Sequence, residues 1–237
     1  MATTAIDKPK VHKNGASTFT SPLLDNGYFL SRAEFHRRYE LMPALKKAEL
    51  IEGIVIMGSP VSYHHGEATG QMGAWLATYA AHTAGVKCAD NATVLLDADN
   101  EVQPDGLLLL EARAGGQTTL SQSKYIEGAP ELVVEVAMSS VASDFHDKLH
   151  IYRRNRVREY LIWDLEGRRI EWLGWENGNY APLKPAGAIV ASKVFPGLWL
   201  DTTALLSGDL KKVLVQLQKG IDSAEHKQFV RTLAGKK

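Results

Sequence analysis

The 237 residues, 45% of them hydrophobic, suffice for one substantial core, and Lys plus Arg and Asp plus Glu stand at 27 each. That balance excludes the overall basic excess by which many nucleic-acid binders announce themselves, so contacts to phosphate must come from local patches. The longest strongly apolar runs, Leu107 to Leu110 and Leu132 to Val134, fall far short of a membrane span, and Cys88 alone can form neither an internal disulfide nor a cysteine-based zinc site, which fits a reducing cytoplasm.

Residues 1–21 mix Thr, Lys, Asn, Gly and Ser without the apolar stretch of a secretory signal and are expected to be a flexible tail. One domain is expected over residues 22–220, followed by a second tail over 221–237. Ser31 and Glu34 have capping-box spacing and open a short helix to about Tyr39. Glu49 to Met57 reads as a strand with an irregularity at Gly53, ended by Ser59-Pro60. From His64 to about His82, Ala68, Met72, Trp75, Leu76 and Tyr79 recur at helical spacing. Val94 to Leu96 and Gly106 to Leu110 suggest a hairpin or adjacent antiparallel strands. Glu131 to Ala137 is the strongest central strand. A helix over about Asp144 to Asn155 follows, with Phe145, Leu149 and Tyr152 as its apolar stripe, then a strand at Glu159 to Trp163. Turns at Asp164 to Gly167 and Asn177-Gly178 continue into an antiparallel meander through Leu183, and a last helix spans about Thr203 to Gln218. Strand, helix and strand over Leu132 to Trp163 suit a crossover unit. The fold class is therefore α/β (α+β), a mixed sheet flanked by helices with an antiparallel extension.

Alternation along Glu131 to Ala137 puts Glu135 on one face with Val133 and Ala137, and Leu132, Val134 and Val136 on the other. A carboxylate on a strand covered on both faces needs a cation, a hydrogen-bond network or a proton. Asp105 follows Pro104 at the mouth of an apolar strand; alone it reads as a turn aspartate, but beside a second carboxylate it would repel unless a divalent cation lay between them. Lys148, on the helix after the Glu135 strand, sits about 60° from Phe145 and flanks the buried stripe, so its amine can reach back to the sheet or merely pair with Asp144.

Together, Pro104-Asp105, Glu135 among valines, Asp144, Lys148 and Tyr152, and Glu159-Tyr-Leu-Ile-Trp-Asp164 resemble the Uma-type restriction endonuclease family of the PD-(D/E)XK superfamily. Glu49-Leu-Ile-Glu-Gly53, Ser59-Pro60 and His65 resemble the opening signature of the same family, so the likeness runs from about Leu30 to Leu200. It implies a restriction endonuclease-like fold and an endonuclease that hydrolyses DNA with Mg2+ or Mn2+. Asp105 and Glu135, with the Val136 carbonyl, would hold the metal. The superfamily's lysine position is Ala137 here, and Lys148 is the candidate to replace it. Glu49 would complete the site by holding a water, with Glu52 as the alternative. A homodimer is expected if both strands are cut, since that often takes two sites. The chain departs from the family's usual Ser-Pro at Ser139-Ser140 and from its usual Gly-Val at Arg156-Val157.

Other readings are weaker. His146 and His150 imitate a zinc-protease helix, yet they sit away from the apolar stripe and lack a third ligand. His64 and His65 precede a helix, where capping or packing is the ordinary role, although His65 could approach a phosphate. Ser139 and Ser140 lack a nucleophile elbow, and Gly115-Gly116 lacks the Gly-Lys ending of a phosphate loop. Arg153, Arg154, Arg156 and Arg158 could contact phosphates or simply form a solvated helix end. A catalytically idle nuclease fold serving as a binding or assembly module is the rival reading.

Overall fold

The computed structural model describes residues 23–138 and 144–235. The expected amino-terminal tail and the Ser139-Ser140 departure lie outside them. Helix α1 (Arg32–Glu40) is capped as its sequence predicts, with Ser31 Oγ accepting from the Glu34 N–H. The expected single strand after it is a hairpin of β1 (Ala48–Ile51) and β2 (Ile54–Met57). Glu52 (φ 51°) and Gly53 (φ 77°) are both left-handed and close a two-residue turn between paired Ile51 and Ile54. A Cβ at Gly53 would also come within 2.7 Å of the Phe29 ring, so glycine is required there twice over.

Helix α2 (Tyr63–Ala81) buries Ala68, Met72, Trp75, Leu76 and Tyr79, the stripe read from spacing. Four strands follow: β3 (Val86–Ala89), β4 (Val94–Leu95), β5 (Glu101–Val102) and β6 (Gly106–Leu110). Here the expectation needs correction. β4 pairs with β5, whereas β6 pairs with β3 and with β9 (Leu132–Ala137) in a different sheet. Between them come β7 (Thr119–Leu120) and β8 (Ile126–Glu127).

After β9 the chain makes a π-helical turn at Asp144–Lys148 and runs into α3 (Leu149–Arg154), then β10 (Glu159–Asp164), which pairs parallel to β9 as a crossover requires. Helix α3 closes with Val157 N–H donating to the Tyr152 carbonyl and Arg156 N–H to that of Arg153, so Arg156 (φ 61°) takes the left-handed position that glycine usually fills. The departure at Arg156 thus keeps the backbone geometry and changes only the side chain. The meander continues through β11 (Arg169–Glu176) and β12 (Asn179–Pro182), joined by left-handed Asn177 and Gly178.

A small hairpin, β13 (Ile189–Ala191) with β14 (Trp199–Asp201), leads into α4 (Thr202–Leu206), α5 (Leu210–Ile221) and α6 (Ala224–Gly235). The final helix is broken in two because Gly208 (φ 75°) stops α4 and Asp209 caps α5. The expected carboxy-terminal tail also needs correction. A boundary at 220 falls inside α5, and α6 packs down with Leu233 in the core and His226 hydrogen-bonded to Thr83 Oγ1 at 2.9 Å.

The strands form a first sheet ordered β2-β1-β5-β4-β8-β7 and a second ordered β12-β11-β10-β9-β6-β3. One face of the second sheet, bearing Leu132, Val134 and Val136, packs on α2, α5 and α6. Its other face, bearing Leu107, Val133 and Ala137, meets Ile51, Val94 and Val102 of the first sheet and Ile151 and Tyr152 of α3. The candidate site opens at this second seam.

Candidate active site

Strand alternation builds one wall. Ala48 and Leu50 pack outward against Phe35 of α1, so Lys47, Glu49 and Ile51 point the other way and line a cavity of about 330 Å³. Asp105 enters it from the start of β6, Glu135 and Val136 from β9, His65 from the first turn of α2, and Lys148 from the helical turn before α3. Glu49 is 6 % exposed, Asp105 6 %, Glu135 2 % and Lys148 5 %, so their charges are settled by one another rather than by water.

Lys148 Nζ lies 3.0 Å from Glu135 Oε1 and 3.1 Å from Glu49 Oε2, joining carboxylates carried by different sheets. Glu49 Oε1 also accepts from the Gln103 N–H at 2.8 Å. Tyr152 OH donates to Glu135 Oε1 at 2.8 Å. Burial, and then the Glu135 charge, push the Tyr152 hydroxyl well above its usual range, so it stays a neutral donor.

Asp105 Oδ2 accepts from the Val136 N–H at 2.9 Å and lies 3.4 Å from His65 Nε2, while Oδ1 lies 3.3 Å from Lys47 Nζ. Burial alone would raise its carboxyl, but His65, Lys47 and the Val136 N–H outweigh that and hold it at about 2. The hydrogen bond to Asp105 raises His65 above 6.5 despite the opposing effect of burial. Burial works against the Lys47 ammonium, yet Glu49, Glu135 and Asp105 lift it above its usual range.

The sequence-predicted residues Glu49, Asp105, Glu135, Val136 and Lys148 thus all line one cavity. Glu52 does not join them. It sits at the tip of the β1–β2 hairpin, where Arg154 pairs with it at 2.9 Å. His146 and His150 are exposed. Sequence reasoning missed Lys47, whose signal was its position two residues before Glu49, and the Tyr152 hydroxyl, which lay hidden in an apolar stripe.

A divalent cation fits this donor set. The carboxylate oxygens are hard ligands already crowded by cationic side chains, so the site is shaped for positive charge. Among the described residues no three His, Cys, Asp or Glu side chains make a metal cage by themselves. Mg2+ rarely needs one, because one or two carboxylates with water and substrate oxygens commonly suffice.

A sequence profile whose family is described as "Putative restriction endonuclease" matches residues 32–203, well over half of the chain. The chain belongs to this family, Uma2. A fold of the same kind occurs in the 1.96 Å crystal structure of a "putative nuclease belonging to DUF820" from Anabaena variabilis. That likeness has a TM-score of 0.55 at 13% identity and covers 69% of this chain and 91% of the other. No curated protein matches the sequence. Family and fold together put this Uma2 chain among restriction endonuclease-like proteins. Among its described residues no helix is long and apolar enough to cross a membrane.

Proposed function

We propose that this protein is an endonuclease that hydrolyses DNA phosphodiester bonds with Mg2+ or Mn2+ bound at the cavity between its two large sheets. The observation that carries the reading is the meeting of Glu49, Asp105 and Glu135 with Lys47, His65 and Lys148 around one opening in a nuclease-type fold. Asp105, Glu135 and the Val136 carbonyl would hold the cation, which supplies Lewis acidity to a scissile phosphate when bound.

The chain's own groups do the rest. Lys148 stands between Glu49 and Glu135, where its ammonium orients a water for attack and offsets negative charge growing on the phosphate. Glu49 accepts a proton or hydrogen bond from that water, and Tyr152 fixes the rotamer of Glu135. Lys47, and His65 when protonated, offer positive charge to an incoming phosphate on the Asp105 side of the cavity. A homodimer would bring two such cavities to a duplex, one for each strand.

The test is cleavage of supercoiled plasmid and single-stranded DNA by wild type, Asp105→Asn and Glu135→Gln, with manganese, magnesium or chelator. Metal-dependent cutting by wild type, reduced about 100-fold or more in both variants, is expected. Undiminished cutting in the variants would point to a contaminant and sink the assignment. A folded wild type that binds DNA without cutting it would instead be a binding module on a nuclease fold.

A further inference from the structure

Beyond the catalytic cavity, α3 and β11 border two further hollows of about 910 Å³ and 280 Å³, which share Arg156 and Trp175. The first is entered past Glu52 and Asp147, the immediate neighbours of cavity-lining Ile51 and Lys148. The catalytic cavity and the first hollow therefore share the hairpin tip and the helical turn as a border. Lys148 to Arg153 is about 7.5 Å of helix, so the first groove adjoins the cavity.

The basic residues here divide into two groups. Arg154 is held by Glu52 and Asp97, and Lys193 by Glu176. Among the described residues, no carboxylate pairs with Arg153, Arg156 or Arg158. Arg153 instead donates to Asn179 Oδ1 and contacts His150 Nδ1, and Glu159, next to Arg158 in the chain, is buried and turned toward Ser192, Lys193 N–H and Val194 N–H. Arg156 is kept at a left-handed backbone position where glycine would be cheaper. Although Asp147 also lines the first hollow, three guanidinium groups without a carboxylate partner leave these grooves locally basic in a chain of zero net charge, as an anion track requires.

Resting on the nuclease reading, we propose that this track holds the single strand leading away from the cavity. Phosphates sit on Arg153, Arg156 and Arg158, and a base stacks on Trp175. A single strand is the better occupant than a duplex, because half-buried Trp175 lines both hollows and an indole can stack on a base face that a duplex keeps covered.

The test is equilibrium binding of labelled single-stranded and duplex oligonucleotides in chelator across a salt series, so that no cleavage is involved. Arg153→Gln/Arg156→Gln/Arg158→Gln should weaken single-strand binding about tenfold or more and reduce the salt slope by about 2. Trp175→Leu should weaken it about fivefold or more. Lys211→Gln/Lys219→Gln/Lys227→Gln removes the same charge from exposed positions on α5 and α6 and should stay within about twofold of wild type. Thermal melts establish that each variant is folded. Equal losses in both triple variants, tighter duplex binding untouched by Trp175→Leu, or no binding by wild type would each overturn the proposal. A binding loss confined to the groove variants, in a protein that never cleaves, would leave the track standing while the nuclease reading fell. Metal-dependent cleavage with groove variants that bind and cut normally would do the reverse.

Discussion

Lys148→Met tests the electrostatic architecture of the cavity without reference to turnover. Methionine keeps the length of the side chain and removes its charge, leaving Glu49 and Glu135, both nearly inaccessible to water, without the ammonium that lies within 3.1 Å of each. Removing one partner of a buried ion pair costs about 3–5 kcal/mol, because the orphaned charge keeps its desolvation penalty. For a domain of this size that is a fall in Tm of roughly 10 °C. Mn2+ should recover part of it in the variant, about 2.7 kcal/mol at one hundred times its Kd, by replacing the lost positive charge. The assay is denaturant and thermal unfolding of wild type and variant in chelator and in manganese. A variant within about 0.5 kcal/mol of wild type in chelator would refute the claim that Lys148 holds the carboxylates together.

Tyr152→Phe removes the donor to Glu135 Oε1 while keeping the ring packed on Tyr160, and should cost about 1–3 kcal/mol in unfolding experiments. Burial pushes Glu159 up from 4.5 to about 7, so between those values the folded chain holds more protons than the unfolded one and stability falls as pH rises. The full loss is about 3 kcal/mol, and Glu159→Gln, which can still accept from Lys193 and Val194, should flatten the profile; an unchanged slope between pH 5 and 8 would refute this. Because Asp105 raises His65, the pair adds stability below 6.5 that is lost as pH climbs through the raised value. In Asp105→Asn the His65 ring should titrate lower by NMR, and an unmoved titration would mean that the contact is absent in solution.

Legibility followed the length of each periodic segment. The face carrying Glu135, the α2 stripe, the parallel crossover and the Asn177-Gly178 turn were readable because alternation, helical spacing or turn chemistry is local. Two-residue strands such as β4 and β5 carry no period, and their sheet was decided by pairing with β8 and β1, far away in sequence. Residues 224–235 read as a tail because the buried contacts of α6 include a histidine, whose burial depends on Thr83. Within the site, the carboxylates and Lys148 were visible through strand position and resemblance. Lys47 was not, because its one signal, the spacing of two residues from Glu49, means something only once the strand alternation is known to extend that far ahead.

Glu49 rides on the first sheet, Asp105 and Glu135 on the second, and Lys148 on the crossover helix. The cavity is therefore a gauge of how the two sheets are seated. A slip at the apolar seam, where Ile51 and Val102 meet Leu107 and Val133, could leave every strand paired and still draw Glu49 away from Lys148. Substitutions there are expected to misalign the chemistry before they melt the fold, so inactive yet well-folded variants should cluster along that seam, away from any residue that touches substrate.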